Sequence, residues 1–188
     1  MYMNKSKYIK KFEGFIGNRH SPSSTTMDIE VIDLFEEESI RDVMKKYDDS
    51  DKDDIKALNK FLRDNKYKAL RLYHGTSANN DINTKGLLTT KVKTKRSMQS
   101  QTGYVYLSMY KDSAKSFAEL GYPYDDIVVY EVHVQIISLL PDNDQLYNKR
   151  LFSGLDVGTT LADSLVFGSG ARVKGDIPNY MIKNKFIY

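Results

Sequence analysis

Two stretches decide how this chain is read: Leu72-Tyr73-His74-Gly75-Thr76-Ser77 and, further along, Gly103-Tyr104-Val105-Tyr106-Leu107-Ser108. Both are short, rich in aromatic or β-branched residues and bounded by polar or glycine-containing sequence, the composition of a strand. Ala69 to His74 reads as one strand that stops at Gly75, and 103–108 as a second. The segment 127–136 is the strongest strand of all. There Tyr130, Val132, Val134 and Ile136 point one way and Val129, Glu131, His133 and Gln135 the other. Ahead of it, Ala114, Phe117 and Ala118 share one face of a predicted helix that Gly121 ends. Residues 164–167 and 171–174 read as closing strands across a Gly-Ser-Gly turn. Strands interspersed with one well-formed helix argue for an α+β fold, not a repeating parallel βαβ sheet.

Upstream of Lys68 the pattern turns helical. Tyr8, Phe12 and Phe15 fall nearly in line within 1–20, and Ser21 to Thr26 is a polar linker. Val31, Ile32, Phe35, Ile40, Val43 and Met44 recur near helical spacing, which predicts a helix from about Asp28 to Lys46. Asp51, Asp53 and Asp54 crowd a helix start, where acids complement exposed N–H groups, and Ile55, Leu58, Phe61 and Leu62 supply its apolar face. The expected organisation is a helical N-terminal segment over 1–67 followed by an α+β domain over 68–188.

The chain has 188 residues, which fits one domain, and its 28 bases against 25 acids leave a net charge of +3. With no cysteine, disulfide scaffolds, thiol nucleophiles and cysteine metal sites are excluded, and three histidines argue against a multi-histidine metal centre. No apolar run approaches the roughly 18 residues that cross a bilayer, and the basic start lacks the apolar core of a secretory signal. The expectation is a cytoplasmic protein without a metal. Charge is unevenly spread: residues 28–54 carry 12 acids against 4 bases, and 56–96 carry 11 bases against Asp64 and Asp81. Solvated surfaces that partly neutralise one another explain this. A second reading gives Lys91, Lys93, Lys95 and Arg96 to a polyanion such as nucleic acid.

His74 at a strand tip offers a ring nitrogen, and the missing side chain of Gly75 lets a ligand approach the backbone. Tyr106 lies on the next strand, followed at once by the helix with Ala114, Phe117 and Ala118. In these motifs, and in Ile82-Asn83…Lys85-Gly86-Leu87 between them, the chain resembles the ADP-ribosyltransferase superfamily. The match is to its His-Tyr-acid branch, typified by diphtheria toxin and the poly(ADP-ribose) polymerases, and covers roughly 68–182 by pattern. The resemblance implies a split antiparallel sheet and NAD as substrate, with ADP-ribose handed to a macromolecular acceptor. It implies that Tyr106 holds the cationic nicotinamide ring, with Tyr104 or Tyr110 as a second wall. His74 would bond the adenosine ribose, and Gly75 and Thr76 would complete the dinucleotide site.

The third motif departs from that branch, because its acid would fall near Gly168 or Ser169. The rifampin ADP-ribosyltransferases instead take an aspartate from the loop after the long central strand. Leu-Leu-Pro-Asp-Asn-Asp-Gln at 139–145 falls at that place, so Asp142 and then Asp144 are the candidate acids, with Glu131 behind them and a plain surface turn as the alternative. An oxocarbenium-like transition state needs such a carboxylate. No Glu-x-Glu triplet occurs in the last hundred residues, which argues against arginine as acceptor. The expected role is a mono-ADP-ribosyltransferase acting on protein or nucleic acid, in the manner of a phage effector, toxin or anti-defence protein. Two alternatives stand beside it: a non-catalytic binder on the same fold, and an RNA 2′-phosphotransferase, disfavoured because only Arg71 lies near His74.

Overall fold

The computed structural model describes residues 29–46, 49–80, 82–89, 101–154 and 156–188. The predicted helix at 1–20, the linker and the basic run 91–96 lie outside them. In chain order the strands are β1 (Val31–Ile32), β2 (Ala69–Ser77), β3 (Tyr104–Ser108), β4 (Ile127–Gln135), β5 (Leu139–Pro141), β6 (Gly170–Lys174) and β7 (Ile182–Ile187). The helices are α1 (Arg41–Lys46), α2 (Lys52–Asp64), α3 (Ile82–Lys85), α4 (Lys111–Gly121), α5 (Asn143–Ser153) and α6 (Leu161–Gly168). The fold is α+β, as the strand and helix patterning predicts.

The strands form one sheet in the order β5-β6-β3-β2-β4-β7, antiparallel throughout except where β1 lies parallel beside β2. Its pairing is uneven. β2 matches β4 along its whole length, from Ala69 opposite Gln135 to Ser77 opposite Ile127. With β3 it shares the single register pair Tyr73–Ser108. The sheet is therefore two wings, β5-β6-β3 and β2-β4-β7, that meet at a narrow seam and diverge beyond it.

One face of each wing supplies the core. Leu70 and Leu72 of β2, Val105 and Leu107 of β3, and Tyr130, Val132 and Val134 of β4 are all buried, and on β4 the opposite face is buried too, at Val129 and Glu131. Leu58 and Leu62 of α2 and Leu165 and Val166 of α6 join the same apolar cluster. Residues 31–64 thus contribute to one core with the strands that follow. Asp51 starts α2 with a complete capping box: its side chain accepts from the Asp53 and Asp54 N–H groups at 2.8 and 2.9 Å. The acidic and basic surfaces neutralise one another locally, through Lys46–Asp54 at 2.7 Å, Lys68–Glu30 at 2.6 Å and Arg71–Asp33 at 2.9 Å.

Several sequence expectations are corrected. The helix expected over 28–46 is confined to α1, because Val31 and Ile32 are taken up as a strand beside β2. Residues 164–167 lie in α6, not a strand. A capping box from Thr160 and Asp163 starts that helix, and its buried stretch Ala162 to Phe167 is apolar enough to pass for a core strand. The Gly-Ser-Gly turn does follow, with Ser169 at φ 55°. Phe117 leaves the face it was assigned and is exposed, whereas Ala114 and Ala118 are buried.

β2 also runs through Gly75 to Ser77 instead of stopping there. The absent side chain serves packing. A Cβ on Gly75 would stand 2.0 Å from the Ala114 carbonyl oxygen and 2.9 Å from the Ala118 Cβ, so α4 fills the space expected to admit a ligand. Gly75→Ala is expected to cost about 1–3 kcal/mol through overpacking. Gly121→Ala, with nothing within 4 Å of the added atom, is expected to be neutral or slightly stabilising. Thermal denaturation of the two variants checks the contrast.

Candidate functional site

Three of the sequence-derived candidates are linked at the seam. Past Tyr73, β2 and β3 no longer exchange backbone bonds in register, and the His74 side chain bridges them: its Nδ1 lies 2.8 Å from the Tyr106 carbonyl oxygen. A carbonyl oxygen accepts only, so Nδ1 carries the proton and Nε2 is left as an acceptor. Burial pushes the imidazole pKa below its ordinary value, against the opposing pull of that bond, so the ring is neutral at neutral pH.

Tyr106 continues the chain of contacts. Its hydroxyl donates to Asp144 Oδ2 at 2.7 Å and accepts from the Gln101 N–H at 2.8 Å. Burial, then the bond to Asp144, raises its pKa to about 12, which keeps the phenol neutral. His74, Tyr106 and Asp144, chosen from three separate stretches of sequence, are thereby linked in one bonded series.

The two aspartates of 139–145 play different parts. Neither lies in a plain surface turn, because Leu139–Pro141 pairs with β6 and α5 begins at Asn143. Asp142 is the N-cap: its Oδ1 accepts from the Asp144 and Gln145 N–H groups at 3.1 and 3.2 Å, and its own N–H donates to Ser164 Oγ at 2.7 Å. It is buried, and this raises its carboxyl pKa although the capping bonds and the Arg172 charge pull the other way. Asp144, one turn position on, is the carboxylate that reaches Tyr106.

Arg172 and Gln101 belong to this group and were not singled out from the sequence. Arg172 stands on β6 directly opposite Tyr106. It is only 6% exposed, its guanidinium carbon lies 4.3 Å above the Tyr104 ring, and its Nη1 donates to Gln101 Oε1 at 3.0 Å. Its Nε is buried without a hydrogen-bond partner among the described residues. The signal available was an arginine between the apolar residues of a closing strand. The register that sets it against Tyr106 is a long-range pairing that local pattern does not reveal.

Other candidates are placed elsewhere. Arg172 occupies a face of Tyr104, the expected second wall. Tyr110 packs on Phe35, ring centroids 5.1 Å apart. Thr76 is buried, and its hydroxyl accepts from Asn80 Nδ2 at 2.6 Å. Glu131 is held by the His133 Nε2 at 2.7 Å and the Asn184 Nδ2 at 3.0 Å, with Arg71 Nε 3.8 Å away. Burial pushes its carboxyl up, but these partners outweigh it and the net pKa is lowered. Strand alternation puts Arg71 on the face of β2 opposite His74, where it pairs with Asp33. Asp163 caps α6, and Asp176 accepts from the Thr89 N–H at 2.7 Å. Among the described residues, no group of three or more His, Asp or Glu side chains is placed to hold a metal, and no helix is long and apolar enough to cross a membrane.

Compared with protein-family models, with curated proteins and with solved structures, the chain matches none.

The raised Tyr106 pKa has a consequence for stability. Because the folded state holds the phenol proton more tightly than the unfolded state, its contribution is complete below pH 10 and is lost as pH rises from about 10 to about 12. Tyr106→Phe is expected to lower stability at neutral pH by about 1–3 kcal/mol for the two hydrogen bonds of its hydroxyl. Between pH 10 and 12 its denaturant midpoint should fall less steeply than that of the wild type.

Proposed function

We propose that the chain is an NAD-dependent mono-ADP-ribosyltransferase that moves ADP-ribose to a macromolecular acceptor, a protein or a nucleic acid. The observation that carries this reading is the linked series His74–Tyr106–Asp144, in which the imidazole holds the Tyr106 backbone at the seam and the Tyr106 phenol meets a carboxylate.

In this reading the face of Tyr106 holds the positively charged nicotinamide ring by stacking and cation–π attraction, and a neutral phenol is the form suited to that contact. His74 accepts a ribose hydroxyl at Nε2, the nitrogen that the bond to Tyr106 leaves without a proton. The bond between the anomeric carbon and nicotinamide breaks, its electron pair leaves with neutral nicotinamide, and positive charge develops on the ribose. The Asp144 carboxylate lowers the energy of that charge. An acceptor nucleophile then bonds to the anomeric carbon and gives its proton to solvent.

Nicotinamide release from NAD, with mass spectrometry for one added ADP-ribosyl group on the protein and RNA fractions of a lysate, tests the reading. His74→Ala and Tyr106→Ala are expected to abolish transfer while melting cooperatively. Asp144→Asn should lower kcat by about 10²–10³-fold, the scale of one lost electrostatic contact to a transition state. Asp142→Asn, which keeps the capping oxygen, should leave turnover and stability nearly unchanged, Asp142→Ala should cost about 1 kcal/mol of stability as a lost cap, and Glu131→Gln should leave turnover in place. Wild-type turnover in His74→Ala or Tyr106→Ala would overturn the assignment, and NAD binding without nicotinamide release would make the chain a non-catalytic binder.

A further inference from the structure

The face of β2 opposite His74 borders a separate cleft of about 320 Å³, closed by residues 33–35 on one side and by the start of α4 on the other. It shares no residue with the His74–Tyr106–Asp144 group. At one end stands Lys111, whose ammonium lies 4.5 Å above the Phe186 ring and meets no carboxylate among the described residues. The middle is aromatic and apolar: Tyr73 and Tyr110 present rings and hydroxyls, backed by Phe35 and by the buried Leu34 and Met109. At the other end Arg71 donates to Asp33 at 2.9 Å, while its Nε, 3.8 Å from Glu131, is buried and has no hydrogen-bond partner among the described residues.

A cation, then a ring-lined apolar wall, then a hydrogen-bonding pair with an unfilled donor is the order of groups that a phosphate, a planar ring and its polar edge would meet. The volume lies at the lower end of small-ligand sites, roughly 300–1,000 Å³. Arg71 is matched by Asp33 and Glu131, so the positive charge that favours an anion here is that of Lys111. We propose that this cleft binds a nucleoside monophosphate, its phosphate at Lys111 and its base between the rings toward Arg71. The site does not depend on the transferase reading.

The test uses AMP, adenosine and inorganic phosphate as separate probes, titrated into the full chain and followed by backbone amide NMR, in wild type, Lys111→Ala and Tyr106→Ala. AMP is expected to perturb the amides of Tyr73, Tyr110 and Lys111, and adenosine and phosphate to bind more weakly than AMP. Lys111→Ala should weaken AMP about tenfold or more, the scale of one charge-assisted hydrogen bond, and Tyr106→Ala should leave it unchanged. Loss of AMP binding in Tyr106→Ala with retention in Lys111→Ala would put the nucleotide with His74 and overturn the proposal. So would adenosine binding as tightly as AMP, or no perturbation at millimolar AMP. No arm reads NAD turnover, so an inactive enzyme would leave the result intact.

Discussion

Where β2 and β3 part company, an imidazole takes over from the backbone ladder. A neutral N–H···O=C bond contributes only about 0.5–1.5 kcal/mol net, small beside the 5–15 kcal/mol that holds a domain together. The bond from His74 to Tyr106 matters for geometry more than for energy. It ties β2 to β3 where their ladder ends, and so joins His74 to a wing in which the β3–β6 and β5–β6 registers place the Tyr106 ring, the start of α5 that carries Asp144, and Arg172 across from Tyr106. The core then holds the arrangement rigid, with Leu72 and Leu107 on the strands of the seam both buried.

The charges around Tyr106 are mixed, and their placement separates tasks. Asp142 spends its side chain on the N-terminus of α5 and Asp144 spends its own on Tyr106, so adjacent acids do structural and site-forming work respectively. Arg172, permanently charged and nine-tenths buried, draws Asp142 back toward the ionised form. Through Gln101, which meets both its guanidinium and the Tyr106 hydroxyl, it also braces the phenol. Glu131 looks exposed in an alternating strand pattern but is tied to His133 and Asn184 within the sheet.

Much of this was legible in the sequence where periodicity or end chemistry is local. β2, β3, β4 and β6, the acid-rich start of α2 and the Gly-Ser-Gly turn follow from pattern and capping rules. His74, Tyr106 and the 139–145 acids were singled out by the resemblance of their motifs to a known family, not by periodicity or end chemistry. The misreadings arose where tertiary context overrides local pattern. Val31 and Ile32 carry a helical spacing but find an open strand edge beside β2. Residues 164–167 are apolar enough to pass for a core strand, yet the capping box at Thr160 and Asp163 makes them a buried helix. Gly75 was assigned to a ligand because space beside a glycine has no owner until the neighbouring helix is placed. Arg172 stayed out of view because only the register of β3 with β6 sets it against Tyr106.

The central claim is that the wings hold a dinucleotide at the seam between His74 and Tyr106. Calorimetric titration of NAD into the wild-type chain and into His74→Ala, both checked for cooperative melting, tests it most directly. The account predicts saturable heat from the first and none from the second; a wild-type chain that takes up no NAD, or a variant that binds it equally well, would contradict it.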